Sequence, residues 1–138
     1  RLRSVQKKKG PAIEKKLLAN FKKLTNNGIT VLAGTDAGNA GVFQGFTLHR
    51  ELELYVKGGM SPWEALRTAT LNATNFLGFE SGIQTGDRAD FVILNSSPIE
   101  SISNTKDISK VIYKGEIINR KELLRETRLL DSQSEVSD

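Results

Sequence analysis

The stretch that most constrains this chain is Ile29–Gly41, ITVLAGTDAGNAG. Ile29 to Ala33 is a short apolar run with no polar alternation. Such a run is expected as a strand buried on both faces, which in practice means the parallel sheet of an α/β protein. Gly34-Thr35-Asp36 then sets a single carboxylate at the end of that strand, and Ala37 to Gly41 form a Gly-rich loop. An acid at the end of a strand, opening into a loop, is how α/β folds commonly present a catalytic side chain.

The flanking pattern agrees. Gly10-Pro11 starts a helix in which Ile13, Leu17, Leu18, Phe21 and Leu24 fall on one stripe, and Asn26-Asn27-Gly28 ends it. Beyond the loop, Leu48, Leu52, Tyr55 and Val56 mark a second helix, closed by Gly58-Gly59. Ser61-Pro62-Trp63-Glu64 reads as a capping box, with Ser61 as N-cap and Glu64 three positions on. The helix it opens carries Ala65, Leu66 and Ala69, small enough for close packing, whereas Trp63 is expected as a packing residue. Asn72 is expected to cap a further short helix ending at Leu77-Gly78. The pattern then changes. Ala89–Leu94 reads as a strand, and residues 95–107 as a polar loop with one short helical turn. Residues 110–113 and 116–119 flank Lys114-Gly115 as a two-residue hairpin. Residues 122–130 fit a terminal helix, and residues 132–138 read as a disordered tail.

Composition narrows the function. The 138 residues suffice for one core of ordinary size. No run of about 18 apolar residues is present, so no transmembrane helix is expected, and the basic N-terminus lacks the apolar stretch of a secretory signal. The absence of cysteine removes disulfides, thiolate metal sites and thiol nucleophiles together. A cysteine-free chain suits either redox environment, and the cytoplasm is the default expectation. The net charge of +4 hides an asymmetry: residues 1–24 carry nine Lys/Arg against one Glu, and residues 25–138 eleven against fifteen acids. The basic segment has no interleaved aromatics, so it reads as a solvated helix face rather than a nucleic-acid surface. Gly34, Gly38 and Gly41 lack both the G-K-[S/T] ending of a phosphate loop and the spacing of a dinucleotide fingerprint.

Taken together, the ordered motifs GTDAGNAG, LHRELEL, SPWEALRTATLNAT, GDRADFVIL and VIYKGEII resemble the C-terminal third of the amidohydrolase superfamily, over roughly residues 12–119. The similarity is to its imidazolonepropionase-like and Xaa-Pro or Xaa-Arg dipeptidase-like branch. The joint match is far more specific than any one motif. It implies an α/β fold: the C-terminal portion of a metal-dependent hydrolase (β/α)8 TIM barrel, plus part of a small composite β-sandwich. Residues 1–78 would supply the last helix-strand-helix portion of the barrel, with Ile29–Ala33 as its eighth strand. Residues 79–119 would supply part of the sandwich, and residues 120–138 a terminal helix and tail. Asp36 matches the family's metal-binding and proton-shuttling acid.

That chemistry has a physical basis. A divalent metal, zinc by expectation, lowers the pKa of its bound water to about 7, and a neighbouring carboxylate can carry the proton to the leaving nitrogen. The family's other ligands include an HxH pair and further histidines, whereas this sequence holds a single His. A (β/α)8 barrel also needs about 250 residues. The chain is therefore expected to be a piece of a larger amidohydrolase, able by itself neither to hold the metal tightly nor to turn over substrate. The alternative is a non-catalytic chain that pairs with a partner supplying the missing strands. A small-molecule substrate is the expected partner, with no nucleic acid and no membrane; homo-oligomerisation stays open. Asp36 has a local reading too, an Asx turn to the following amides. Asn39 and Gln44 are loop polars that could touch substrate. His49, in the first turn of the second helix, fits pocket lining or a local hydrogen bond, with Glu53 four residues on as a candidate neighbour.

Overall fold

Among the described residues, four helices precede the strands in the chain. The computed structural model describes residues 2–39, 42–79, 82–123 and 125. Helix α1 spans Leu2–Asn26, α2 Phe46–Lys57, α3 Pro62–Ala69 and α4 Leu71–Leu77. Strands β1 (Phe91–Leu94), β2 (Ile108–Tyr113) and β3 (Glu116–Ile117) follow, with a 3₁₀ turn at Ile102–Lys106 between β1 and β2.

Helix α1 begins nine residues earlier than expected and runs through Pro11. Proline removes one N–H donor and its ring crowds the carbonyl four residues back, yet the helix runs through it, with a lysine-rich segment of mostly good helix formers on its N-terminal side. Of its apolar stripe, Phe21 is seated: its ring stacks on Tyr55 of α2, centroids 5.1 Å apart and planes within 7°. Ile13, Leu17 and Leu24 are exposed. Lys57 of α2 also reaches Glu14 of α1 at 2.6 Å.

Helix α3 opens on the expected capping box. The Glu64 N–H donates to Ser61 Oγ at 3.2 Å, and the Ser61 N–H donates to Glu64 Oε2 at 2.7 Å. These contacts hold Glu64 below the usual carboxylate range. Helix α4 departs from expectation at its start. Thr70 is its N-cap, and Asn72 lies inside the helix, where its side chain donates to the Val31 carbonyl at 3.1 Å. Asn72 is used to hold another element rather than to cap its own. Gly78 ends α4 in the left-handed conformation, φ 71°.

Among the described residues the buried apolar core consists of Leu52, Ala65 and Ile102, one each from α2, α3 and the 3₁₀ turn. Ala33, Tyr55, Val56, Met60, Leu66 and Ala69 pack around it. Thr68 is fully buried, its hydroxyl satisfied by the Ala65 carbonyl at 2.7 Å. Trp63 is exposed instead of packed.

The sheet is antiparallel in the order β1-β2-β3. Lys114 and Gly115 connect β2 to β3 with φ of 52° and 84°, the two positive values a tight two-residue hairpin turn requires. Asp90 supports that turn by accepting the Lys114 N–H at 2.7 Å. Of the expected terminal helix, residues 120–123 and 125 are helical, and the rest, like the tail, lies outside the described residues.

The main departure concerns Ile29–Ala33. The segment is assigned to no strand and belongs to no sheet, and its residues are half-buried or exposed. The expected strand needs parallel neighbours on both sides, and among the described residues β1, β2 and β3 pair only with one another. One flank of the segment is nonetheless fixed. Besides the Asn72 contact, the Ala33 N–H donates to the Thr68 carbonyl at 3.0 Å.

Candidate active site

The site begins where the Ile29–Ala33 segment meets α2. The Gly34 N–H donates to Glu51 Oε1 at 3.0 Å. Two residues on, Asp36 adopts φ 52°, a left-handed backbone that Asp tolerates better than most residues. Its side chain is exposed. Asn39 turns back on it: Asn39 Nδ2 donates to Asp36 Oδ2 at 2.6 Å and also approaches the Asp36 carbonyl at 3.2 Å. The loop closes with the Val42 N–H donating to the Asn39 carbonyl at 2.9 Å. Asn39 is therefore brought to Asp36, where its amide holds the carboxylate. Gln44 lies exposed in the turn before α2.

His49 faces elsewhere. Its Nδ1 lies 3.0 Å from Thr105 Oγ1, and that hydroxyl donates to the Ile102 carbonyl at 2.8 Å. With the hydroxyl proton committed there, Nδ1 carries the proton in this contact, leaving Nε2 as the acceptor. Burial and nearby Lys106 push the His49 pKa below its ordinary value, against the weaker opposite pull of Glu53. Glu53 bonds not to His49 but to Lys106, at 2.6 Å. Both contacts join α2 to the 3₁₀ turn.

Glu51 was not among the residues singled out from the sequence. It accepts from Gly34 and also, through a short contact, from the Tyr55 hydroxyl. A signal was available: Glu51 stands three residues after Leu48 and four before Tyr55, an acid on the apolar face of its own helix. Beside it, Gly34, Thr35, Thr47 and Arg50 line an open cavity of about 340 Å³.

Chemically, the arrangement offers one exposed carboxylate, held by an amide, on a loop that follows the Ile29–Ala33 segment. It does not offer a complete metal centre. Among the described residues no three His, Cys, Asp or Glu side chains converge. Asp36 is a single donor, so these residues do not by themselves fit a resident metal ion. No helix among the described residues is long and apolar enough to cross a membrane.

Comparison with known proteins agrees with the motif order. The amidohydrolase family profile matches residues 10–118. Over 60 residues the chain is 35% identical to an adenine deaminase of Methanocaldococcus jannaschii, covering 44% of this chain and 10% of that protein. Among solved structures, a candidate prolidase from Bifidobacterium longum is 33% identical with a TM-score of 0.68, covering 75% of this chain. A Xaa-Pro dipeptidase with methionine bound in its active site is 29% identical with a TM-score of 0.65, covering 79%. Each of those two structures is spanned to 26% of its length. The structural neighbours are amidohydrolase TIM-barrel enzymes, and this chain has the fold of one part of them.

Proposed function

The chain belongs to the amidohydrolase family, and on that premise we propose that it is the C-terminal part of a hydrolase that cuts C–N bonds in small molecules. A cyclic amide, a dipeptide of the Xaa-Pro type or a similar compound is the substrate class in this reading. The observation that carries it is Asp36: an exposed carboxylate at the end of the Ile29–Ala33 segment, oriented by Asn39 at 2.6 Å. Asp36 accepts a proton from the attacking water and returns it to the departing nitrogen. A general base so placed contributes about 10²–10⁴-fold to the rate. The family is generally metal-dependent. A divalent ion, zinc in this reading, would draw its remaining donors from outside the described residues. Residues 1–78 belong to the barrel and residues 79–119 to the small β-domain. The substrate, not a nucleic acid, is the partner.

The test is an assay of the full-length protein on Xaa-Pro dipeptides, N-acyl amino acids and cyclic amides, with Asp36→Asn alongside. Hydrolysis of one of these classes, lost in the variant, is expected; absence of C–N hydrolysis in the metal-supplemented protein would overturn the proposal.

One observation favours a second reading, a non-catalytic chain that docks on a partner. Large apolar side chains stand exposed, Phe76 at 75% and Ile83 at 89%, and Ile29–Ala33 has no strand partner among the described residues. An unpaired apolar segment invites pairing. Size-exclusion chromatography of the 138-residue chain decides against this reading if it gives a soluble, cooperatively melting monomer.

A further inference from the structure

Glu51 is not explained by packing. Glu51 shares its α2 face with Leu48 and Tyr55, where an aliphatic residue would serve stability better. The Glu51 carboxyl instead keeps one oxygen, Oε2, buried without a hydrogen-bond partner among the described residues. An unmet buried polar atom is a cost to folding. What the residue gains is on the other oxygen. Oε1 accepts from the Gly34 N–H at 3.0 Å and from the Tyr55 hydroxyl. Tyr55 is itself fixed, since its ring lies flat on Phe21. A continuous set of contacts thus runs from α1 through Phe21, Tyr55 and Glu51 to Gly34, two residues before Asp36.

We propose that Glu51 is a positioning residue for Asp36: by clamping the Gly34 amide to α2, it fixes where the Gly34-Thr35-Asp36 stretch leaves the Ile29–Ala33 segment. Asn39 orients the carboxylate from the loop side, and Glu51 anchors the backbone from the helix side. Neither contact alone locates the acid, because the left-handed Asp36 backbone redirects the chain between them. The inference rests on Asp36 being the proton-carrying acid.

Reactive geometry is sensitive to such anchoring, since a displacement of about 1 Å costs about 10²-fold in rate. In the full-length protein, Glu51→Ala is expected to lower kcat by roughly 10- to 100-fold with KM changed by less than about 3-fold. Glu51→Gln keeps an acceptor oxygen for the Gly34 amide and is expected to recover most of that loss. Tyr55→Phe preserves the stack on Phe21, removes the hydroxyl, and is expected to lower kcat by a few-fold without a matching fall in Tm. Leu52→Ala, a packing defect one position away, should lower Tm while leaving the kcat of the folded protein near normal. A folded Glu51→Ala protein with wild-type kcat would overturn the proposal, as would Glu51→Gln performing no better than Glu51→Ala. Should Glu51→Ala fail to fold, unchanged kcat in Tyr55→Phe overturns it in the same way. Asp36→Asn separates the two ideas. If that variant turns over normally, the role of Asp36 itself falls; if it is inactive while Glu51→Ala is normal, only the role of Glu51 falls.

Discussion

Gly58 follows α2 at φ −78° and ψ −4°, an α-helical conformation that alanine adopts without strain. On backbone grounds alone, Gly58→Ala should stabilise the protein by about 0.4–1 kcal/mol, through the reduced freedom of the unfolded chain. Its surroundings reverse the sign. A Cβ at Gly58 would sit 2.5 Å from Phe21 Cδ1 and 3.1 Å from Cε1, where carbon atoms prefer roughly 3.5–4.0 Å. The Phe21 ring would have to retreat by about 1 Å and lose its stack on Tyr55. Overpacking of this kind costs about 1–3 kcal/mol. The net expectation is a loss of about 1–2 kcal/mol, a fall of roughly 0.5–1 M in the urea midpoint at unchanged m. A double-mutant cycle sharpens the test. In a Phe21→Ala background the obstacle is gone, and Gly58→Ala should turn stabilising by about 0.4–1 kcal/mol. Equal effects of Gly58→Ala in both backgrounds would refute the seating of α1 on α2 through Phe21.

Ser61→Ala removes the capping box at α3 and should lower stability by about 1 kcal/mol, read as a fall in the urea midpoint without a change in m. His49 has a folded-state pKa below its ordinary 6.5, so the unfolded chain binds the proton more tightly. Stability should therefore fall as pH drops through about 6.5 toward the folded-state value. His49→Gln should flatten that part of the Tm–pH profile, and an unchanged slope would show that His49 is not its source.

The helices and the hairpin were legible in the sequence because each has a local cause. The capping box at Ser61 and Glu64, the Gly58-Gly59 stop and the Lys114-Gly115 turn are decided within a few residues. Asn72 was misread because its type suits a cap, whereas its partner, the Val31 carbonyl, is remote in sequence. Ile29–Ala33 is expected as a buried strand from its apolar run, but it joins no sheet among the described residues, because a strand needs neighbours and pairing is not a property of five residues. The exposure of Trp63 and of much of the α1 stripe follows from the same small core. At the site, Asp36 stood out by its place after an apolar run, and its bond to Asn39 fits the short loop between them. His49 looked like a neighbour of the loop by sequence distance, yet the helical turn directs it to Thr105. Glu51 stands in a run of alternating acids and leucines; its spacing from Leu48 and Tyr55 marks it as an acid on an apolar face, and the fold supplies its partner, the Gly34 amide.

The central claim is that Asp36 is a proton-carrying acid, and kcat of Asp36→Asn in the full-length protein tests it most directly. Asparagine tolerates the left-handed backbone at this position and retains an oxygen for the Asn39 amide, so the substitution leaves the loop intact while abolishing the base. A fall in kcat of at least about 10²-fold, with Tm unchanged, is the predicted result; turnover near that of the unaltered protein would contradict it.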